Sequence, residues 1–418
     1  MEVTINKLVY GGDGLAHHDG HTVFVPYVLP DEVVAVRPTE RKKKFVRGQP
    51  LRIVQPSPAR VAPPCPHFAA CGGCHYQHIG YDDQLRFKSD ILRETLRRIG
   101  RIDWTGPIAR HPSQPLGYRN RAQWKVRVAD GNNAIGYFRA GTTALEPVDQ
   151  CPILSPLLAA ALESLRALLS EAKLPAALRE VEAFADAGDT KLLLSLSAVE
   201  FDAPAAQVAD TLRAALPGVE SILVHESSRD RFELAGPGYL VSEVAGHRYR
   251  IGHLSFFQVN RFLIEEMLRA VTAGSGGRLA LDLYAGVGLF SLPLTETFER
   301  VVAVESNAAA ARDLAANLAG RPAEIVARDA AEFLASCTET PDLVVLDPPR
   351  AGVEPPALNR LAALAPARIV YLSCDPATLA RDLQSLTATG YAIEELHLFD
   401  VFPQTFHIET LVRLARRG

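Results

Sequence analysis

The chain has 418 residues, of which 48% are hydrophobic and 22% charged, the balance of a globular protein that buries a core. This composition excludes a largely disordered or collagen-like chain. No apolar run approaches the roughly 18 residues that span a bilayer, and the first residues lack the hydrophobic region of a signal peptide, so we expect a cytoplasmic protein. Six cysteines are too few for a disulfide scaffold and favour metal-binding or catalytic thiols.

The net charge of −4 conceals a basic segment. Residues 84–128 contain eleven Lys and Arg against three acids, and a second basic run lies at 41–47. Phe87, Tyr118 and Trp124 are interleaved with the charges of the first segment. Such a segment suits contact with a nucleic-acid backbone and stacking on its bases, although a solvated surface accounts for the charge equally well.

Residues 1–57 have the pattern of a small all-β barrel, because short β-prone runs alternate with Gly- and Asp-rich turns. A proline-rich linker follows. Apolar residues at helical spacing then predict a helix over about 80–101, with Gly100 as a stop signal. The predicted strands of the barrel are 3–8, 22–28, 32–38 and 44–55.

The stretch from about 110 to 250 mixes strand and helix patterns without regular alternation, which favours an α+β domain. Helices are predicted near 155–171 and 204–216, the second with Pro204 as its first residue. The predicted strands are 121–128, 192–199, 221–226 and 239–244.

After Gln258 the strand and helix patterns alternate strictly. Helices fill the gaps between the first six strands, which is the order of a doubly wound parallel sheet. The last two strands are joined by only 402–407, too short for a crossover helix, so we expect them to pair antiparallel. The predicted strands are 278–284, 300–305, 324–327, 343–347, 368–373, 394–401 and 408–414.

A ligand-binding turn is predicted where the first of these strands ends. Gly286 and Gly288 permit a tight turn and close approach of the backbone to a ligand. Glu305, at the end of the second strand, is placed to accept hydrogen bonds from ribose hydroxyls. Ser291 stands where a dinucleotide fingerprint has its third glycine, which argues against a pyrophosphate. We therefore expect an adenosyl ligand without phosphates, with S-adenosylmethionine as the leading candidate.

Asp347 ends the fourth strand, in the sequence Asp-Pro-Pro-Arg at 347–350. A carboxylate there faces the crevice in which an open α/β sheet binds its ligand, and the two prolines stiffen the loop. Adenine-N6 methyltransferases end a similar turn with an aromatic residue that stacks on the base. Arg350 occupies that place here, which counts against methylation of an amino group.

Cys374 ends the fifth strand. Asp375 is placed to cap the next helix with Pro376 as its first residue, so the positive helix end should favour the Cys374 thiolate and make it a nucleophile. Cys337, in an Ala-rich helical run, is expected to be structural. Glu409 begins the last strand among apolar residues, where burial would raise its pKa toward a value useful for a general base. A salt bridge with a C-terminal arginine is the alternative for Glu409.

Six motifs come in a characteristic order. They are Gly-Tyr-Phe-Arg-Ala-Gly-Thr at 136–142, Ser-Phe-Phe-Gln-Val-Asn at 255–260, Asp-Leu-Tyr-Ala-Gly-Val-Gly-Leu-Phe at 282–290, Asp-Pro-Pro-Arg at 347–350, Ser-Cys-Asp-Pro at 373–376 and His-Ile-Glu-Thr at 407–410. This order resembles the RNA uracil-5-methyltransferases, and more narrowly their members with an N-terminal TRAM domain and an iron–sulfur cluster. Two residues depart from the family pattern: Tyr137 stands where relatives tend to have Phe, and Leu289 where they usually have Asn, a side chain that contacts the cofactor.

The resemblance implies a role for each candidate residue. Cys374 would attack carbon 6 of a flipped-out uracil, carbon 5 would take the methyl group, and Glu409 would remove the proton from carbon 5. Asp347 would orient the reacting groups. The residues that would contact S-adenosylmethionine are Gln258, Tyr284, Glu305, Asp329 and Asp347.

Four other cysteines have the spacing of a metal site. Cys65, Cys71 and Cys74 form Cys-x5-Cys-x2-Cys, and Cys151 is the expected fourth ligand. Four thiolates hold either a [4Fe-4S] cluster or zinc, and the spacing hardly separates the two. The resemblance favours the cluster, in a structural and RNA-positioning role.

The resulting expectation is a multidomain protein. It comprises a TRAM or OB-like RNA-binding barrel at 1–57, a central α+β domain at 58–250 whose helix near 80–101 can pack on the next domain, and a Rossmann-like class I methyltransferase domain at 251–418. We expect a monomer that makes 5-methyluridine in structured RNA, with ribosomal RNA preferred over tRNA. The alternatives are an amino-group methyltransferase and an RNA-binding protein without catalytic activity.

Overall fold

The computed structural model describes residues 1–128, 133–201 and 204–417. Their strands form four sheets, of six, seven, two and eight strands. None of the helices in these ranges is long and apolar enough to cross a membrane. The predicted order of an all-β part, a mixed central part and an α/β C-terminal part is confirmed.

The N-terminal part is a six-stranded sheet around a core of its own. Its strands are β1 (Glu2–Thr4), β2 (Lys7–Leu8), β3 (Gly14–His18), β4 (His21–Val25), β5 (Val33–Arg41) and β6 (Phe45–Gln55). The strand order is β1-β5-β6-β4-β3-β2, and small aliphatic side chains such as Val23 and Val36 fill the interior. The sequence did not predict β3, because Gly-Leu-Ala-His-His has no β-branched residue.

The predicted helix of the linker region is present as α1 (Tyr81–Arg98). Its buried face, including Ile91 and Leu92, belongs to the same hydrophobic core as the C-terminal sheet. Leu8 of the N-terminal sheet and Tyr76 of the linker also belong to this core. The first 100 residues and the C-terminal part are therefore packed together through shared apolar contacts.

The central part is a seven-stranded sheet with two helices. Beyond the strand β7 (Ala109–His111), its elements are β8 (Arg121–Arg127), β9 (Ala134–Phe138), β10 (Leu145–Pro147), α2 (Pro156–Ser170), β11 (Leu178–Ala185), β12 (Leu192–Ala198), α3 (Ala205–Ala215), β13 (Val219–Glu226) and β14 (Arg231–Ala235). The order β10-β9-β8-β11-β12-β13-β14 contains one parallel pair, β12 with β13. Pro204 is the N-cap of α3, so the prediction that it is the first helical residue is wrong.

A separate hairpin and a helix lead into the C-terminal sheet. They are β15 (Tyr239–Val244), β16 (His247–Gly252) and α4 (Ile264–Thr272). The sheet then comprises β17 (Gly277–Leu283), α5 (Ser291–Leu294), β18 (Phe298–Val304), α6 (Ala308–Asn317), β19 (Ala323–Val326), α7 (Ala330–Ser336), β20 (Leu343–Leu346), α8 (Pro355–Leu364), β21 (Arg368–Ser373), α9 (Pro376–Ala388), β22 (Tyr391–Phe399) and β23 (Glu409–Arg416).

The C-terminal sheet has the order β19-β18-β17-β20-β21-β23-β22-β7. The first five of these strands are parallel, with five helices in the predicted gaps. β22 and β23 pair antiparallel with each other, as their short connection predicts. β7 adds a last parallel strand at the edge, which the sequence did not predict because only three residues form it. The carboxyl ends of β17, β20 and β21 thus lie at one edge of the sheet.

The basic segment at 84–128 lies partly inside the protein, although six of its eleven Lys and Arg residues are exposed. Lys88 is fully buried and pairs with the buried Asp400 at 2.5 Å. Several arginines of the segment donate hydrogen bonds to backbone carbonyls. Phe87, Tyr118 and Trp124 are buried in hydrophobic clusters, so the prediction that they stack on nucleic-acid bases is wrong. Each of these rings is buried even though charged residues lie next to it in the sequence.

Candidate functional site

The turn after β17 has the backbone of a ligand-binding loop. Tyr284, Gly286 and Gly288 all have positive φ, at 66°, 57° and 90°. A Cβ atom built on Gly286 meets no other atom within 4 Å, so this glycine leaves open space beside the backbone. Tyr284 is not a glycine and adopts this left-handed conformation at a cost of about 1–3 kcal/mol, which is typical of functional turns.

A small cavity lies in front of this turn. Gln258, Tyr284 and Asp347 line it, together with Gly286 and the buried Phe290. Leu289 also lines the cavity, so the position that departs from the family pattern faces the expected cofactor. Three of the five predicted cofactor contacts therefore share one cavity.

Glu305 follows β18 and fixes the same turn. Its two carboxylate oxygens accept hydrogen bonds from the backbone N–H groups of Gly286 at 2.8 Å and Asn307 at 2.6 Å. Each oxygen has a second lone pair, so the carboxylate can still accept a further donor such as a hydroxyl. These two hydrogen bonds thus stabilise the loop, and they leave Glu305 able to bind a ribose.

Asp329 occupies the corresponding position after β19. One of its oxygens caps α7 by accepting from the N–H groups of Ala331 at 2.7 Å and Glu332 at 3.4 Å. Its charge is close enough to Tyr284 to add to the effect of burial, which raises the pKa of Tyr284 to about 12. Asp329 therefore lies at the border of the site, after strand β19. Only one of its two carboxylate oxygens takes part in the cap of α7.

Asp282, inside β17, is a buried carboxyl that sequence analysis had not assigned to a site. It is fully buried and accepts a hydrogen bond from the Ser291 hydroxyl at 2.5 Å. Burial raises the pKa of Asp282 to about 7, and the charges of Asp347 and Glu305 act in the same direction. The bond to Ser291 ties the strand to the first turn of the following helix and so supports the loop between them.

Cys374 and Glu409 are brought together by the pairing of β21 with β23. Ser373 is paired with Thr410, so the next residues of the two antiparallel strands, Cys374 and Glu409, lie opposite each other. Asp375 caps α9 through the N–H groups of residues 377 and 378 at 2.9 and 3.0 Å, with Pro376 as the first helical residue, as predicted. The turn after β21 therefore has the expected local structure.

The charge state of Cys374 differs from the prediction. Burial and the neighbouring charges of Glu409 and Asp347 raise the pKa of its thiol to about 11, while Arg350 acts in the opposite direction. The expectation that the thiolate is favoured is therefore wrong. A partial positive helix end is outweighed by desolvation and by two adjacent carboxylates.

Glu409 is 8% exposed, and burial raises its pKa well above the ordinary value, with Asp347 adding to the effect. This direction confirms the expectation for a buried carboxyl. Among the described C-terminal arginines, Arg413 binds Glu395 and two backbone carbonyls and Arg416 binds the Ala365 carbonyl, so the alternative of a salt bridge between one of them and Glu409 is wrong. Burial likewise raises the pKa of Asp347, to about 6.

The loop at 400–408, which leads from β22 to Glu409, is held by distant parts of the chain. The carbonyl of Gln404 accepts hydrogen bonds from the N–H groups of His75 and Tyr76, both at 2.9 Å. The side chains of Gln84 and Gln404 are hydrogen bonded at 3.0 Å, and the Gln84 side chain accepts from the Gln404 N–H at 2.9 Å. Tyr118 donates to the carbonyl of Pro403 at 3.0 Å. Sequence patterns carried no signal for these contacts because their partners are hundreds of residues apart.

The four clustered cysteines line one cavity of about 360 Å³. Arg350 and His407 line the same cavity from the C-terminal part. Among the described residues, no three His, Cys, Asp or Glu side chains converge closely enough to hold a single metal ion. Burial raises the pKa of the Cys74 thiol to about 12, and the charges of the other three cysteines act in the same direction. The four thiol donors thus lie around one cavity.

The C-terminal sheet, its glycine turn and the strand-end residues define a class I methyltransferase fold. Residues 80–342 and 339–417 match the family model for tRNA (uracil-5-)-methyltransferases, and residues 1–51 match the TRAM domain. The chain belongs to this family of RNA uracil-5-methyltransferases and carries an N-terminal TRAM domain.

Relatives of similar length are found among curated proteins. The chain is 32% identical to the 23S rRNA (uracil(1939)-C(5))-methyltransferase RlmD of Alkalilimnicola ehrlichii, over 100% of this chain and 97% of the relative. It is 33% identical to an uncharacterized RNA methyltransferase of Aquifex aeolicus, over 99% and 98%. Its structure is similar, with a TM-score of 0.80 and 28% identity, to the tRNA (uracil-54, C5)-methyltransferase of Pyrococcus abyssi in complex with S-adenosyl-L-homocysteine, over 99% and 100%.

Alkylation of Cys374 tests the charge state of the site. We expect labelling by iodoacetamide to be slow at pH 7 and to increase up to about pH 11, because only the thiolate reacts and the pKa is raised to about 11. Glu409→Gln removes a negative charge and should shift this curve to lower pH, whereas the exposed Glu299→Gln should not. Peptide mass spectrometry measures the labelled fraction. A pKa near the free-thiol value of about 8.5 would contradict the inferred environment.

Proposed function

We propose that this protein methylates carbon 5 of a uridine in RNA with S-adenosylmethionine, and that its substrate is 23S rRNA. The observation that carries the proposal is the register of β21 and β23, which sets a cysteine and a buried glutamate opposite each other beside Asp347. Asp347 also lines the small cavity in front of the glycine turn. A nucleophile, a base and a cofactor cavity at one sheet edge are what the addition mechanism needs.

The chemistry of uracil explains why both side chains are needed. Carbon 5 is a weak nucleophile until a sulfur adds to carbon 6 and shifts the double-bond electrons toward carbon 5. Cys374, after its proton has left to solvent, forms that bond. S-adenosylmethionine, when bound, supplies an electrophilic methyl group on a sulfonium.

Glu409 completes the cycle in this proposal. Carbon 5 carries both the methyl group and its original proton after transfer. The carboxylate removes this proton, the double bond re-forms and the carbon–sulfur bond breaks, which returns Cys374. Because burial raises the pKa of Glu409, its carboxylate is a stronger base than an exposed one.

Gln258, Tyr284 and Asp347 would hold the cofactor in the cavity, with Glu305 at the ribose and Asp329 at the border of the site. The left-handed turn at Tyr284 and the open space at Gly286 support this assignment, because both let a ligand approach the backbone closely. The charge of Asp347 also acts on the Cys374 thiol and raises its pKa. Asp347 would therefore orient the reacting groups from the side of the cofactor.

Two substitutions separate the steps. Cys374→Ala should abolish methylation, because none of the other described cysteines lies opposite Glu409, whereas the matched Cys337→Ala should retain it. Glu409→Gln should accumulate a covalent RNA–protein complex that survives denaturation, since the proton on carbon 5 is not removed. Gel electrophoresis of radiolabelled RNA with the protein measures the complex. Methylation that persists in Cys374→Ala would indicate amino-group chemistry, and an inactive wild-type protein would indicate an RNA-binding role alone.

The choice of ribosomal RNA rests on the relatives. The full-length relative from Alkalilimnicola ehrlichii is named for 23S rRNA, while the structural neighbour from Pyrococcus abyssi is named for tRNA. The sequence identity to the first is 32% and to the second 28%. The tRNA substrate remains the second candidate because the neighbour matches the whole fold.

Mapping of 5-methyluridine distinguishes the two substrates. We expect deletion of the gene to remove this nucleoside from one position of 23S rRNA and to leave the tRNA level unchanged, as measured by mass spectrometry of isolated RNA fractions. The wild-type gene and Cys337→Ala should restore the modification, whereas Cys374→Ala should not. Loss from tRNA alone would overturn the assignment to ribosomal RNA.

The four clustered cysteines would hold a [4Fe-4S] cluster. Cys65, Cys71, Cys74 and Cys151 line a single cavity, and four cysteine thiolates are the ligand set of such a cluster. His75 and Tyr76, directly after Cys74, bind the loop that leads to Glu409. A bound group would therefore hold the linker at the residues that bind the loop at 400–408. This role is structural.

Metal content tests this assignment. Protein purified without oxygen should contain iron and acid-labile sulfide, and Cys71→Ser should lose most of both, while the matched Cys337→Ser should retain them. Elemental analysis and visible absorbance measure the content. Zinc that is lost in Cys71→Ser would support a single-ion site instead, and a metal-free wild-type protein would contradict both assignments.

A further inference from the structure

The turn between β2 and β3 of the TRAM domain reaches the nucleophile of the transferase domain. The hydroxyl of Tyr10 donates a hydrogen bond to the backbone carbonyl of Cys374 at 3.2 Å, across 364 residues of sequence. The same hydroxyl is close enough to Asp375 and Arg350 for their charges to affect its pKa, which burial raises. Tyr10 therefore remains a neutral hydrogen-bond donor at the wall of the proposed active site.

The ring of Tyr10 is held in place by the catalytic loop. It meets Phe406 edge to face with ring centroids 5.5 Å apart, and Phe406 in turn packs against His75 at 4.6 Å. Gly12 brings the turn close, since it has a φ of +95° and a Cβ there would lie 3.4 Å from both His75 and Phe406. The turn is closed by hydrogen bonds between Val9 and residues 12 and 13. Tyr10 thus extends from a rigid turn and not from a mobile loop.

The other hydrogen bonds at the nucleophile turn are local. The Ser373 hydroxyl accepts from the N–H of Asp375 at 3.2 Å and donates to its carbonyl at 3.0 Å, and Asp375 caps its own helix. Within the described residues, the bond from Tyr10 links the Cys374 carbonyl to another domain. It holds the peptide group that follows Cys374, and so the backbone from which the Cys374 side chain extends.

We propose that Tyr10 is a positioning residue through which the TRAM domain orients the catalytic nucleophile. This inference rests on the proposed addition of Cys374 to carbon 6. The sulfur must approach the face of the pyrimidine within a narrow range, and a displacement of about 1 Å can cost about a hundredfold in rate. The TRAM domain would then contribute to the chemical step in addition to any contribution to RNA affinity.

Rate and affinity separate these two contributions. A domain that only binds RNA changes the Kd and its salt dependence and leaves the rate at saturating RNA unchanged. A domain that orients the nucleophile changes the rate at saturation and leaves the Kd unchanged. Tyr10→Phe is the suitable change, because it keeps the ring packing on Phe406 and removes only the hydroxyl.

The experiment uses the full-length protein and an RNA substrate with 5-fluorouridine at the target position. Fluorine cannot be removed as a proton, so the covalent Cys374–RNA complex stays trapped after methyl transfer. At saturating RNA, Tyr10→Phe should form this complex about tenfold more slowly than wild type, the loss expected for one hydrogen bond, with an RNA Kd within about twofold of wild type.

Tyr391→Phe is the matched control. Its hydroxyl also donates to a backbone carbonyl, that of Pro366, at 2.9 Å, but at the opposite end of β22 from the active site. It should form the trapped complex at the wild-type rate, whatever its effect on thermal stability. Equal slowing of both variants would indicate a general loss of stability and would overturn the positioning role of Tyr10.

The outcomes are distinct. Absence of a trapped complex with wild-type protein would overturn the proposed addition mechanism itself. A wild-type complex that Tyr10→Phe forms at an unchanged rate would overturn only the positioning role. A weaker Kd at an unchanged saturated rate would also overturn it and would restrict the TRAM domain to RNA binding.

Discussion

The position of Glu409 depends on how the loop at 400–408 is held. This loop connects β22 with β23 of the C-terminal sheet, but it has hydrogen-bond partners in the linker, α1 and the central part. At its start the buried pair of Lys88 and Asp400 replaces hydration that both ions have lost. A buried ion pair gives little net stability, yet breaking it leaves an uncompensated charge and costs about 3–5 kcal/mol. The pair therefore selects one conformation of the loop more than it stabilises the fold.

This constraint explains why the domains share a hydrophobic core. A doubly wound sheet alone supplies Tyr284, Asp347 and Cys374 from the carboxyl ends of its parallel strands. The proposed general base comes from an antiparallel hairpin whose loop has hydrogen-bond partners outside that sheet. Helix α1 and the residues after Cys74 supply those partners, so the linker is part of the site's scaffold.

The sequence predicted the strand ends that carry the proposed site residues and the buried Glu409, but it did not predict effects that arise from tertiary packing. The ends of β17, β20 and β21, the cap by Asp375 and the antiparallel final pair follow from local patterns. The raised pKa of Cys374 does not, because desolvation and the Glu409 charge come from tertiary packing. The same reason applies to Trp124 and Lys88, which look like nucleic-acid contacts in sequence and are core residues in the fold. The contact of Tyr10 with Cys374 joins residues 364 apart, which no local pattern encodes.

The cavity lined by the four clustered cysteines lies next to the loop at 400–408. Arg350 and His407 line that cavity, and Arg350 also lowers the pKa of Cys374 against the effect of the carboxylates. From the cysteine side, His75 contacts Phe406, which lies three residues before Glu409 and also contacts Tyr10. Two ring contacts and a few backbone hydrogen bonds thus connect the residues after Cys74 with Tyr10 and with the loop before Glu409. The cysteine segment, the TRAM turn and the final hairpin consequently pack together around the proposed nucleophile and base, which belong to different strands.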